Sequence, residues 1–152
     1  FGRAARPLSL WPAQAAMIFV DTSFLLALLN PRDDLHSRAQ AWAAAIVEPL
    51  IVTEYVIWEM VNGLSMPADR LKAHSVVQEI QTASDWKWVP AANALFEAGI
   101  RLHRERGDKA WSLTDCISFH VIGQHEICRA LTFDHHFEQA GYEALLRREP
   151  TQ

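Results

Sequence analysis

The sequence predicts an α/β fold built on a parallel sheet, and three observations carry that prediction. Short apolar runs at Met17–Val20, Leu50–Val52, Trp86–Val89 and Ile127–Phe133 have the length of buried strands. Segments of helical character, about ten to fifteen residues long, lie between them. Two of the runs end on an aspartate, Asp21 and Asp134, where an α/β sheet opens its crevice. Strands alternating with helices are joined by right-handed crossovers, which makes the sheet parallel.

Met17–Val20 runs into Asp21-Thr22-Ser23, a polar cluster able to cap a helix over Phe24–Leu29 that Asn30-Pro31 stops. After Asp33-Asp34, the Ala-rich stretch Ser37–Val47 favours helix and puts Trp42 and Ile46 on one face. Leu50–Val52 is the second strand. Thr53 is placed to cap a helix over Glu54–Leu64, with Tyr55, Trp58, Val61 and Leu64 expected as its apolar stripe. Glu59 and Asn62, three apart, share another side of that helix. Pro67 is expected near the start of a third helix reaching Ala83, with Leu71, His74, Val77 and Ile80 as its periodic positions.

Trp86–Val89 is a third strand closed by Pro90. Asn93 is expected to cap a helix through Arg106, and Gly107 to terminate it. Ser112-x-x-Asp115 reads as a capping box for a helix to Ile122. The fourth strand follows from Ile127 or Cys128, then a short helix and an edge strand.

With 152 residues, half of them apolar, six Trp, seven Phe and 21% charged residues, the chain has the material for one core and is not disordered. The expected organisation is an upstream extension at 1–16, poorly ordered and without a signal-peptide core, then one domain at 17–148 starting naturally at Met17, then a tail at 149–152. Cys116 and Cys128 form no Cys-x-x-Cys pair, so neither a disulfide framework nor a thiolate zinc site is indicated, and a reducing cytoplasmic compartment fits best. The longest apolar run, Met17–Leu29, is interrupted by Asp21 and falls short of the ~20 residues that cross a bilayer, so no membrane partner is expected.

Fourteen Lys and Arg against eighteen Asp and Glu give a net charge of −4, so no broad cationic field advertises nucleic acid. A phosphate-handling enzyme of this charge needs a metal or a local basic patch. No Gly-rich phosphate loop, Gly-x-Ser-x-Gly elbow or dinucleotide fingerprint is present, which disfavours P-loop and serine hydrolases.

The informative residues are acids. Asp21, Asp115 and Asp134 sit at three separate helix–sheet junctions, and Glu59 holds a polar position on the helix after the second strand. A parallel sheet allows all four to converge at one mouth, where mutual repulsion raises their pKa values unless a cation intervenes. Mg²⁺, with Mn²⁺ as a substitute, is the hard ion that carboxylate oxygens prefer. One such ion orients and deprotonates water, and a second, about 3.5–4 Å away, stabilises the leaving oxygen, which suits phosphodiester hydrolysis. Each acid also has an ordinary role open to it: helix cap for Asp21, capping-box partner for Asp115, turn residue for Asp134 and solvated helix residue for Glu59.

Val20-Asp21-Thr22-Ser23, Glu59 within Thr53–Asn62, Ser112-Leu113-Thr114-Asp115-Cys116 and Leu131-Thr132-Phe133-Asp134 together resemble the four motifs of PIN-domain ribonucleases, particularly VapC toxins. The resemblance spans Met17 to about Leu146 in the family's order, and the lead-in Asp108–Asp115 adds to its specificity. It implies a PIN-like three-layer α/β/α sandwich around a central parallel sheet. It also implies that Asp21, Glu59, Asp115 and Asp134 are the metal-binding catalytic acids, with Thr22, Ser23, Asn62, Thr114 and Thr132 orienting carboxylates or waters behind them. The activity implied is Mg²⁺-dependent cleavage of single-stranded RNA or RNA loops, leaving 5′-phosphate and 3′-hydroxyl ends. The assembly implied is a homodimer inhibited by a VapB-like antitoxin. An RNA-processing nuclease without an antitoxin, or a non-catalytic binding domain, fits the residues as an alternative.

Arg101, Arg104, Arg106 and Lys109 form the densest basic cluster, either gripping RNA phosphates beside the acids or pairing with Glu97, Glu105 and Asp108. Trp88 and Trp111 are candidates to stack bases if exposed, whereas Trp42 and Trp58 are expected in a core or interface. His135 and His136 follow Asp134 directly and stay open as contributors to the site.

Overall fold

The computed structural model describes residues 7–10 and 16–151. Most of the segment 1–16 lies outside these, so the expectation of poor order there concerns residues outside the described set. Within it, Leu8–Leu10 form a 3-10 turn whose Leu8 N–H donates to the Ser84 carbonyl at 2.7 Å.

Among the described residues, five strands, β1 (Ile18–Val20), β2 (Leu50–Thr53), β3 (Trp86–Val89), β4 (Arg129–Leu131) and β5 (Glu143–Ala144), pair in parallel in the order β3-β2-β1-β4-β5. Phe19 stands beside Ile51 on one side and Ala130 on the other, which sets the register around the central strand. Every residue of β1 and β2 is buried. Both sheet faces are therefore covered, which explains why these strands read as continuous apolar runs rather than as alternating ones.

Among the described residues, seven helices cover the sheet: α1 (Thr22–Leu29), α2 (His36–Ala45), α3 (Glu54–Gly63), α4 (Arg70–Thr82), α5 (Asn93–Glu105), α6 (Leu113–Gln124) and α7 (His135–Gln139). α1 packs on α2 and α3, and α3 on α4; α5 packs on α6, and α6 on α7. The chain steps one way from β1 to β3, then crosses back to β4 and on to β5. Right-handed crossovers then put the two helix groups on opposite faces, giving the α/β/α layers. α6 is buried on nearly every side, and Gly99 lets α5 approach it closely: a Cβ there would fall 2.4 Å from Ile117 Cγ1.

Two helix faces differ from the sequence expectation. On α3 the buried residues are Val56, Ile57 and Met60, while Trp58 is 56% exposed. On α4 they are Ala73, Val76 and Ile80, and Leu71 is 82% exposed. Apolar residues of α3 satisfy more than one stripe, so periodicity leaves its inward face undetermined, and on α4 the small Ala73 takes the inward place expected of a larger neighbour. Pro67 precedes α4 by a turn rather than opening it, and Asn93 is the first helical residue after the cap Ala92 instead of the cap itself. The Ser112–Asp115 capping box is present as expected, and Thr53 caps α3 by accepting from Val56 N–H at 3.3 Å.

Candidate functional site

β1 and β4 are neighbours, and the strand order reverses between them, so their carboxyl ends flank the crevice where α/β folds bind ligands. Asp21 leaves β1 with its N–H on the Leu131 carbonyl at 3.1 Å and becomes the cap of α1. Its Oδ2 accepts from Ser23 N at 3.3 Å, Ser23 Oγ at 2.7 Å and Thr132 Oγ1 at 2.8 Å. Thr132, beyond the end of β4, in turn accepts from the Asp134 N–H at 3.0 Å, and Ser23 Oγ accepts from the Phe133 N–H at 3.1 Å. Small hydroxyls thus join the ends of two strands whose sequences lie far apart, and they aim both aspartates into one region.

Asp115 reaches the same place from α6. Its Oδ2 accepts from the Ser112 N–H at 2.8 Å, completing the capping box, and lies 3.3 Å from His136 Nδ1. The same Nδ1 is 3.3 Å from Asp134 Oδ1, so one imidazole in the first turn of α7 bridges two carboxylates from different elements. His135 lies beside it, ring centroids 4.4 Å apart and tilted by 49°, and approaches Asp134 Oδ1 at 3.6 Å. Glu59 joins from α3, its Oε2 accepting from Thr22 Oγ1 at 2.7 Å, and Thr22 directly follows Asp21.

Contacts among these residues therefore link Asp21, Asp115 and Asp134, with Glu59 attached at the exposed side. Thr22, Ser23 and Thr132 bond the carboxylates; among the described residues, Asn62 and Thr114 do not, and Asn62 is exposed. The sequence leaves the bridging place of His136 open, because it depends on how α7 meets the start of α6 and not on local spacing.

The basic cluster is only partly free. Arg106 grips Asp108 through two bonds at 2.9 and 3.1 Å and lies over the Trp111 ring, and Lys109 adds a contact to Asp108 at 3.3 Å. These cations hold the Asp108 carboxyl well below the ordinary aspartate range. Arg101 and Arg104 stay exposed on α5. Trp111 is not a stacking surface: it is 5% exposed, donates to Gln139 Oε1 at 3.0 Å and packs edge-on to Phe119. Trp88 is half-buried against the core.

Electrostatics single out the deeper acids. Asp21 and Asp115 are 7% and 8% exposed. Burial pushes the Asp21 carboxyl up, against the opposing pull of the Ser23 and Thr132 hydrogen bonds. Burial also raises Asp115; the Ser112 amide lowers it, and the nearby Asp134 charge raises it again. Among the described residues no lysine or arginine pairs with any of the four carboxylates. Carboxylate oxygens without a fixed cation, brought to one region through shared hydroxyl and imidazole partners, are the donor type that a hard divalent ion prefers. Asp134, His135 and His136 also present ligand atoms within 4.8 Å of one another.

A family model for the PIN domain matches residues 18–142. The chain belongs to the PIN-domain family. This PIN domain is homologous to VapC20 of Mycobacterium tuberculosis, named a 23S rRNA-specific endonuclease, at 29% identity over 139 residues covering 83% of this chain and 95% of the relative. The VapC20 crystal structure, described as that of a Sarcin-Ricin loop cleaving toxin, matches with a TM-score of 0.77 at 26% identity, covering 88% of this PIN domain and 99% of VapC20. FitAcB from Neisseria gonorrhoeae matches with a TM-score of 0.59 at 18% identity, covering 84% and 96% of the two chains. VapBC2 from Rickettsia felis, bound to a DNA fragment from its promoter, matches with a TM-score of 0.59 at 11% identity and the same coverage. At those identities the last two share the fold.

Proposed function

We propose that this PIN domain is a Mg²⁺-dependent endoribonuclease toxin, active on single-stranded RNA or RNA loops, in which Asp21, Glu59, Asp115 and Asp134 hold the metal. The observation that carries the reading is the linked set of Asp21, Asp115 and Asp134 at the β1–β4 switch point, drawn from three segments and lacking a lysine or arginine partner among the described residues. Homology to VapC20 supports the substrate class.

When bound, the divalent ion supplies a Lewis acid that polarises the phosphodiester and lowers the pKa of water. The residues supply position. Ser23 and Thr132 fix one oxygen of Asp21, and the capping box fixes one oxygen of Asp115, so neither side chain needs to reorganise on loading. Thr22 turns Glu59 toward the other acids from the exposed side, where a substrate strand enters. Hydrolysis breaking the P–O3′ bond leaves a 3′-hydroxyl and a 5′-phosphate. Arg101 and Arg104, with Arg106 and Lys109 beside them, are the proposed phosphate contacts that offset the net charge of −4.

The proposed nuclease unit is 17–148, acting in the cytoplasm as a homodimer held inactive by a VapB-like antitoxin. The VapC resemblance and the fold shared with VapBC2 support the antitoxin partner. Among the described residues no helix is long and apolar enough to cross a membrane.

The test is to map cleavage sites in total cellular RNA, 23S rRNA included, after inducing the wild type beside Asp21→Asn. Discrete new 5′-phosphate ends that depend on Asp21 are expected. Identical ends from both proteins, or none from either, would overturn the assignment.

A further inference from the structure

Phe133 lies between Thr132 and Asp134, in the turn that carries β4 into α7. Phe137, four residues on and inside α7, is fully buried and packs on Phe119 and Phe19 with ring centroids at 5.0 and 6.1 Å. Phe133 is instead 40% exposed. Its backbone is tied at both ends: the N–H donates to Ser23 Oγ at 3.1 Å, and the carbonyl accepts from Arg147 Nη1 at 3.2 Å.

The Arg147 guanidinium also sits over that ring, 5.2 Å from its centroid, while its Nε pairs with Glu138 Oε2 at 3.0 Å. Ring and cation are thus held together, one residue from Asp134, on a backbone whose Phe133 N–H donates to the Ser23 hydroxyl that also serves Asp21. An apolar ring presented to water on a fixed backbone, with a cation beside it, matches one occupant well: a flat π-system on a polyanionic strand.

We propose that Phe133 and Arg147 form a stacking subsite for one unpaired nucleobase of the RNA, next to the phosphodiester that the acids address. This rests on the ribonuclease reading above and adds a substrate contact to it. The ring takes the base face, and Arg147 faces the same nucleotide as a cation that stacks or meets phosphate. Every base has a π-face, so the subsite fixes where the strand lies and not which base occupies it.

The experiment measures binding of fluorescein-labelled uridine and adenosine homopolymers, and of an oligoribonucleotide spanning the mapped cleavage site, in an Asp115→Asn background that cannot consume them. Phe133→Ala is expected to weaken binding by roughly 5- to 150-fold, the range that loss of one base–aromatic stack brings. Phe133→Trp is expected to bind at least as tightly as the parent. Replacing nucleotides one at a time by abasic residues should reveal one position that costs the parent affinity and costs Phe133→Ala none. Unchanged binding in Phe133→Ala, or abasic penalties identical in both proteins, overturns the subsite while leaving the nuclease assignment intact. Failure of the wild type to bind or cleave any RNA overturns both. Circular dichroism of each variant separates lost contact from lost fold, and Phe133→Leu, which keeps an apolar side chain in the turn, repeats the measurement if the alanine variant unfolds.

Discussion

The two ends of the sheet both carry several carboxylates and treat them in opposite ways. At the amino-terminal end three of them have an arginine: Glu48, ahead of β2, meets Arg129 at the start of β4; Glu143, at the start of β5, meets Arg148; and Glu149 meets Arg38 at 2.8 Å. At the carboxyl-terminal end Asp21, Asp115, Asp134 and Glu59 meet hydroxyls, backbone amides and imidazoles. The titration follows. Burial acts to raise Glu48, but the bond and charge of Arg129 hold it below the ordinary glutamate range, whereas burial carries Asp21 and Asp115 upward. Burial differs too, with the Glu48 side chain 27% exposed against 12% for Asp115, so the contrast joins a permanent cation at one end to deeper burial without one at the other. One end spends its acids on stability; the other leaves them unneutralised at a cost to the metal-free fold.

The largest effect that separates the ends is catalytic. Asp21→Asn and Asp115→Asn should each lower RNA cleavage by more than the roughly 10- to 100-fold that loss of a ligand's supporting partner brings. Glu48→Gln should leave cleavage within about twofold, because its pair lies at the far ends of β2 and β4. In metal-free buffer the stability ranking should invert, with Asp21→Asn melting above the wild type and Glu48→Gln below it. A cleavage assay and a thermal melt on the three proteins check both halves, and a Glu48 variant as inactive as Asp21→Asn would erase the distinction.

A smaller effect concerns the cation. If the acids hold a divalent ion, Mg²⁺ or Mn²⁺ at about 100 times its Kd should raise the wild-type melting temperature by roughly 5–10 °C. The gain should vanish in Asp21→Asn and persist in Glu48→Gln. EDTA should abolish cleavage, and added Mg²⁺ should restore it. Equal thermal shifts in all three proteins would place the ion elsewhere.

The same contrast explains what was legible in the sequence. The strands were, because β1 and β3 are short apolar runs closed by Asp21 and Pro90, and so were the junction positions of Asp21, Asp115 and Asp134, because strand ends and capping boxes are local features. The inward faces of α3 and α4 were not. Tyr55, Val56, Ile57, Trp58, Met60 and Val61 satisfy more than one stripe, and only contact with α1 and the sheet selects Val56, Ile57 and Met60. The bridging of Asp115 and Asp134 by His136, and the exposure of Phe133, were equally hidden. Both depend on how the turn after β4 sets α7 against the start of α6, a tertiary relation with no local signature.

The finest test is the pH dependence of stability, where the two ends should differ in sign. Glu48 has a lowered folded pKa, so its contribution is fully present above its unfolded value near 4.5 and is lost as pH falls through the still lower folded value. The deficit of Glu48→Gln should therefore be constant at neutral pH and close only in strong acid. Asp21 has a folded pKa raised above 3.8, so its ionised form costs stability at neutral pH, and that cost is relieved as pH falls through the raised value. The advantage of Asp21→Asn in metal-free buffer should thus be largest at neutral pH and be gone below about pH 3.8. Melts of both variants against the wild type across this range measure the two curves. If both differences shrink over the same interval, the ends of the sheet do not differ electrostatically, and the unpaired acids are held by something other than the burial described above.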